Sequence, residues 1–313
     1  MRKVVISVVI LAIFVGFLVY YIDFKEFIKH LKDVNISLLI LIVPVQLLVY
    51  LLRAIRFELI LEKKGVLMYS AVSAVHGFFN KIMPIRSGEL SLPLLFKRYN
   101  KVSYAKGTSA LIMVRVLDLF AVLFLFALSL LFISVKNIDH FLLTGIAFFI
   151  LGLLVFVWIK LNLILKLISS ALERSHIRLL NRFKERILLF IGQVSEYRKS
   201  RVNSFIIKLF VVSVATWLLT YFAFLLLLLS FDLSFTFMEV IFATTFVSFS
   251  TLIPVSAVGG FGTYEAGWAL GYVILGMSLD LAVPMGLFAN IFGIIISAVF
   301  GLLGYLFLVY TKQ

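Results

Sequence analysis

Phe79-Asn80-Lys81-Ile82-Met83-Pro84 leads into Arg86-Ser87-Gly88-Glu89, and 170 positions later Phe249-Ser250-Thr251-Leu252-Ile253-Pro254 leads into Gly259-Gly260-Phe261-Gly262-Thr263-Tyr264-Glu265. Each copy closes an apolar stretch with Phe, two polar residues, two apolar ones and Pro. Each then breaks the chain and restarts it with Gly and Glu. In a very apolar chain, two interrupted segments at corresponding places point to the substrate region of a transporter built from two related halves.

The composition surrounding these stretches is that of a membrane protein. Of 313 residues, 63% are hydrophobic and 14% charged, with a mean hydropathy of +1.15. Ordinary globular domains hold about 45–50% apolar and about 25% charged residues. The excess lies in long runs at 4–22, 34–52, 119–135, 141–159, 209–231, 240–264 and 281–311. A helix of about 20 such residues crosses the roughly 30 Å hydrocarbon core of a bilayer. The expected fold class is therefore an all-α polytopic membrane protein. The net charge of +14 fits Lys- and Arg-rich cytoplasmic loops and does not call for nucleic acid. There is no Cys, which excludes disulfides, thiolate zinc sites and iron–sulfur clusters. Val4–Ile22 follows Arg2-Lys3 but no cleavage site follows it, and Tyr20-Tyr21 suits an interfacial belt, so it reads as a retained span.

Loop charge sets the expected topology. The segment 53–64 carries Arg53, Arg56, Lys63 and Lys64, and 81–106 carries Lys81, Arg86, Lys97, Arg98, Lys101 and Lys106. Only the uncharged 65–80 lies between them. A full crossing there would put one basic block outside, so 66–83 is expected to dip in and 88–97 to return. The segment 160–208 holds eleven Lys or Arg and belongs in the cytoplasm, whereas 136–140 and 232–239 are poor in positive charge and belong outside. A second hairpin over 240–279 then enters from the outer face, and a last span at about 282–309 returns inward. The account closes with about six full crossings, two re-entrant helical hairpins in an inverted-repeat arrangement, and both termini cytoplasmic in the cell membrane. The alternative, with every hairpin arm spanning, gives ten crossings. The whole is one integral membrane domain: half one about 1–159, a basic connector about 160–208, and half two about 209–313. Within the connector, Leu163–Val194 has helical apolar spacing with basic positions between, suited to the anionic inner leaflet or to a solvated link.

Few residues can carry chemistry. Arg115 and Asp118, three apart in an apolar segment, share one helix face and can pair. Isolated, each would cost about 2.5–3.5 kcal/mol at mid-helix, so both should face the protein interior, as a helix lock or in a polar pathway. After Glu89, Arg115 comes 26 residues later; after Glu265, Asn290 comes 25 later. A helix restarting at Gly88-Glu89 or Gly262-Thr263-x-Glu265 would aim its N–H groups at mid-membrane, a seat for a lipid phosphate. Glu in the first turn can equally serve as a cap. Arg86 adds a bidentate phosphate donor, or snorkels to the cytoplasmic side. Gly259 and Gly260 permit a sharp turn, whereas Gly267 and Gly271 suit helix packing. His76 reads as a buried or interfacial His. Gly260-x-Gly262 lacks the third Gly of a dinucleotide fingerprint, and no phosphate-loop Lys exists. No cofactor or metal is expected.

In order and spacing these motifs resemble the transmembrane-region family of lysylphosphatidylglycerol synthases, the part that acts as lipid flippase in the multiple peptide resistance factor. The matching residues are Arg53-Ala54-Ile55-Arg56-Phe57, Asn80 to Pro84 with Arg86-x-Gly88-Glu89, Arg115-x-x-Asp118, and Pro254 with Gly259-Gly260-x-Gly262-Thr263-x-Glu265. Phe57 stands where the family often has Trp. The resemblance implies movement of an anionic, aminoacylated or polyprenyl-phosphate-linked lipid, six to eight helices with re-entrant segments, and an option of a homodimer. It covers about 4–308, without the soluble transferase domain, so synthase activity is not expected with it. Competing readings are an integral-membrane enzyme acting on a lipid phosphate and a non-catalytic partner of a glycosyltransferase.

The topology has a direct check, because a chain without Cys accepts single reporter cysteines. Lys101→Cys should resist an impermeant thiol reagent added to intact cells and react after lysis. Labelling from outside would overturn the first-hairpin assignment.

Overall fold

The computed structural model describes residue 16 and residues 23–135, 139–174, 204–250 and 258–311. Among them every regular element is helical. The α-helices are α1 (Lys25–Lys32), α2 (Ile36–Leu61), α3 (Val66–Ile82), α4 (Ser91–Tyr99), α5 (Tyr104–Leu130), α6 (His140–Arg174), α7 (Ser204–Ser230), α8 (Phe237–Ser250), α9 (Thr263–Ile274) and α10 (Leu279–Tyr310). Short 3-10 segments occupy Pro84–Leu90 and Val258–Gly260.

Among the described residues five helices are long and apolar enough to cross a membrane: α2, α5, the first part of α6, α7 and α10. The expected first span, Val4–Ile22, lies outside the described residues apart from Gly16, as do 136–138 and the part of the amphipathic segment beyond Arg174. Up to Arg174 that segment continues α6, so Lys160 and Lys166 ride on the same helix as the apolar stretch before them. One expectation needs correction. Residues 53–64 are not a loop, because α2 runs unbroken for 26 residues from Ile36 to Leu61. The apolar run 34–52 is already long enough to span, but nothing in Arg53–Leu61 stops a helix. The chain turns only at Glu62, with φ 54°, and Gly65, with φ 143°.

The remaining helices are short. α3, α4, α8 and α9 have 17, 9, 14 and 12 residues. At about 1.5 Å per residue none reaches the roughly 30 Å of a bilayer core. They form two pairs, α3 with α4 and α8 with α9. The first pair is interrupted at Pro84 and the second at its Gly signal, while residues 251–257, Pro254 included, lie outside the described residues. In the second interruption Gly259, Gly260 and Gly262 have φ of 70°, 71° and 83°, a run of left-handed conformations that L side chains adopt only under strain. The arms of the second pair lie very close. A Cβ on Gly271 would strike the backbone of Ala243, and one on Gly267 would lie 2.8 Å from the Phe246 carbonyl oxygen. The small residues are thus packing residues.

Helix order and packing partners recur along the chain. α3 packs on α10 and α8 on α5; α4 packs on α5 and α9 on α10; α2 packs on α7. The two 3-10 segments touch each other where the hairpin tips meet. α6 stays outside this arrangement and packs on α5, with Phe141, Phe148, Phe149 and Phe156 exposed, as befits a helix facing hydrocarbon. Inside, Tyr264, Trp268 and Tyr272 stack along α9, and Gly286 of α10 lets the helices close over the Trp268 ring.

Candidate functional site

Between α2, α3, α5, α7 and α10 lies a cavity of about 280 Å³. Helical spacing puts Gln46, Tyr50, Arg53 and Phe57 on one face of α2. Ser73, His76, Gly77, Asn80 and Lys81 come from α3, Arg115 and Asp118 from α5, and Thr216, Trp217 and Thr220 from α7. The lining residues of α5 and α10 come from the middle of those helices, whereas those of α7 run from Thr216 to Leu227, close to its C-terminal end.

The ion pairs differ from the expected one. Arg115 and Asp118 are both in the lining, but they do not pair with each other. Asp118 accepts from Arg56 Nη1, which also donates to Ser213 Oγ at 3.0 Å. Arg115 Nη2 lies 3.1 Å from Glu89 Oε1. The physical reason is reach: α2 and the first hairpin each bring a better-aimed partner than a residue one turn along the same helix. Arg56 is only 2% exposed, so its bond to Asp118 replaces water that the guanidinium has lost. This contact, together with Ser213, joins α2, α5 and α7 at one point.

Glu89 lies within the 3-10 segment Pro84–Leu90, so the first restart is not an α-helical N-terminus at that residue. Arg86 is on the same segment, and its side chain falls outside the described residues. At the second restart Glu265 is fully buried. Its Oε2 accepts from the Gly262 N–H at 2.6 Å, and its Oε1 from Asn290 Nδ2 at 2.9 Å. Asn290 Nδ2 also donates to the Gly259 carbonyl at 3.0 Å. Glu265 therefore caps α9 and latches the hairpin turn onto α10. Thr263 Oγ1 donates to the Gly260 carbonyl at 3.0 Å within the same turn. None of Gly259, Gly260, Gly262, Thr263 and Glu265 lines the cavity. The Glu89–Arg115 and Glu265–Asn290 contacts span 26 and 25 residues of the chain and each ties a chain break to the long helix that follows it.

Sequence reasoning missed Arg53, Lys81 and Asn80 as lining residues. Arg53 lies over the Tyr50 ring, 5.8 Å from its centroid. Lys81 directs its ammonium at α10 where Gly293 leaves room; a Cβ there would collide with Nζ. His76 Nδ1 is 2.9 Å from Ser91 Oγ and ties α3 to α4. A usable signal existed: Arg53-x-x-Arg56 has the same one-face spacing as Arg115-x-x-Asp118.

The pairing is testable by double-mutant cycles on folded yield and thermal midpoint. Removing one partner of a buried pair typically costs about 3–5 kcal/mol, and removing both costs less. Arg56→Ala and Asp118→Ala should each destabilise strongly and the double variant should recover part of the loss. Arg115→Ala with Asp118→Ala should be close to additive. A larger coupling for Arg115 than for Arg56 would contradict this arrangement.

No curated protein and no solved structure matches the chain. A family model described as "Lysylphosphatidylglycerol synthase TM region" matches residues 4–301, nearly the whole length over which the ordered motifs run. With several membrane-spanning helices and that match, the chain is a multi-pass membrane protein that belongs to the lysylphosphatidylglycerol synthase transmembrane-region family.

Proposed function

We propose that this protein is a flippase: it moves a membrane lipid between leaflets by passing the headgroup through the cavity while the acyl chains stay in hydrocarbon. The observation that carries the reading is a charged, polar cavity flanked by two interrupted hairpins whose tips meet. Charged residues at that depth face the bundle interior only where they have a partner or a polar substrate. Discontinuous helices around such a site are how many transporters present backbone dipoles to a substrate.

In this reading six helices cross the cell membrane, two re-entrant hairpins enter from opposite sides, and both termini face the cytoplasm. The recurrence of α2–α5 in α7–α10 supports an inverted repeat, with Glu89–Arg115 and Glu265–Asn290 as equivalent closures. Arg115 and Asp118 meet the headgroup, with Glu89 releasing Arg115 as the substrate arrives and Arg86 near the first break guiding it. Gly259, Gly260, Gly262, Thr263 and Glu265 form the turn of the second hairpin, a compact gate on the other side. The cytoplasmic basic residues face the anionic inner leaflet.

Reconstitution into liposomes with headgroup-labelled lipids tests the proposal. Exchange should exceed that of protein-free vesicles. Arg115→Gln removes one charge-assisted contact and should slow exchange about tenfold at matched folded concentration. A chemically altered headgroup would point to an enzyme instead. No exchange and no chemical change, for any lipid class, would overturn transport and leave a non-catalytic partner role.

A further inference from the structure

The cavity holds more positive charge than its own carboxylates neutralise. Arg53, Arg56, Lys81 and Arg115 line it. Asp118 is committed to Arg56 and Glu89 to Arg115. Among the described residues Arg53 and Lys81 have no carboxylate partner: Arg53 lies against the Tyr50 ring and Lys81 against the Gly293 backbone. They stand on α2 and α3, helices that pack on each other beside the cavity. Two further polar groups are buried there without a hydrogen-bond partner, Arg56 Nε and Ser73 Oγ, in residues 2% and 3% exposed. Uncompensated cations in a low-dielectric site are costly, and a stable protein that keeps them has a use for an anion.

We infer that the cavity selects a lipid whose headgroup is a doubly charged phosphate, either a phosphomonoester or a diphosphate. Four cations against two carboxylates leave a surplus of two positive charges. A phosphomonoester carries about −1.5 to −2 charge near pH 7 and matches that surplus. A phosphodiester carries one negative charge and leaves half of it unmet. An aminoacylated headgroup, with its added ammonium groups, enlarges it. Arg53 offers a planar fork of donors and Lys81 a movable point charge, while Arg56 Nε–H and the Ser73 hydroxyl supply two more donors from the same walls. The inference rests on the transport reading for why a lipid headgroup enters the cavity, but the charge match is independent of movement.

Binding selectivity tests it without requiring transport. Trp217 lines the cavity, so Trp emission reports occupancy of the protein held in nanodiscs. The probes are dihexanoyl phosphatidic acid, dihexanoyl phosphatidylglycerol, dihexanoyl phosphatidylcholine and inorganic pyrophosphate. Phosphatidic acid should bind about tenfold more tightly than phosphatidylglycerol, one extra charge-assisted contact's worth, and phosphatidylcholine more weakly still. Lys81→Gln and Arg53→Gln should each lower the monoester-to-diester ratio towards one, whereas Lys81→Arg should preserve it. Should Lys81→Gln fold poorly, Arg53→Gln and Lys81→Arg decide. Equal binding of monoester and diester, or a ratio unchanged in the glutamine variants, would overturn the inference. Pyrophosphate binding with no phosphatidic acid binding would assign the site to a soluble anion and overturn the lipid assignment. Selective binding without leaflet exchange would overturn the transport reading and leave this selectivity standing; exchange that favours phosphatidylcholine would do the reverse.

Discussion

Hydrocarbon offers no partner to a charge, so every ionised group in a membrane helix must find one inside the protein. The Arg56–Asp118–Ser213 contact is where this chain meets that constraint most deeply. It brings α2, α5 and α7 together at one buried point and thereby fixes three walls of the cavity. The fourth and fifth walls, α3 and α10, are set by close approach: Gly301 and Gly304 of α10 meet Phe78 and Ala71 of α3 with almost no side chain between. Charge pairing and small-residue packing thus produce a partly open cavity that carries charged side chains in a molecule whose outer faces are Phe, Leu, Ile and Val.

The carboxylates at the two chain breaks are met by different partners. Glu89 meets a guanidinium and remains partly exposed, whereas Glu265 meets a neutral amide and is sealed. An ion pair beside a polar cavity can exchange partners with an incoming phosphate at little cost, because the guanidinium trades one oxyanion for another. A buried carboxylate held by an amide and a backbone N–H has no such exchange open to it. Within the proposed transport reading, this asymmetry suits recognition at the first hairpin, whose Lys81 lines the cavity, and mechanical closure at the second, which stands outside the lining.

Much of this was legible in the sequence, for identifiable reasons. Breaks at Pro84 and at Gly259–Gly262 showed because Pro and Gly act locally on the backbone, and the packing role of Gly267 and Gly271 showed because spacing alone sets a helix face. The 26- and 25-residue separations marked Arg115 and Asn290 as counterparts, but spacing alone did not show that Glu89 and Glu265 contact them. Partner choice at Asp118 was not legible, since Arg56 is 62 residues away in the chain and only the tertiary fold brings it near. Arg53 and Lys81 were hidden for another reason: each follows a run already long enough to satisfy a span or a hairpin arm, so charge there reads as the start of a loop. A helix that continues past its minimum length places its last charges inside the protein when a neighbouring helix covers them.

The central claim is that the cavity is the midpoint of a path open to both sides of the membrane in turn. Thr220 lines it on α7, and Thr220→Cys places the chain's only thiol there with little change in volume. The decisive measurement is the rate at which an impermeant thiol reagent modifies that position in oriented proteoliposomes, with reagent added first to one side and then to the other. The account predicts modification from both sides, each slowed by phosphatidic acid in the bilayer. Modification from one side only, at a rate indifferent to the lipid, would show a blind pocket and contradict it.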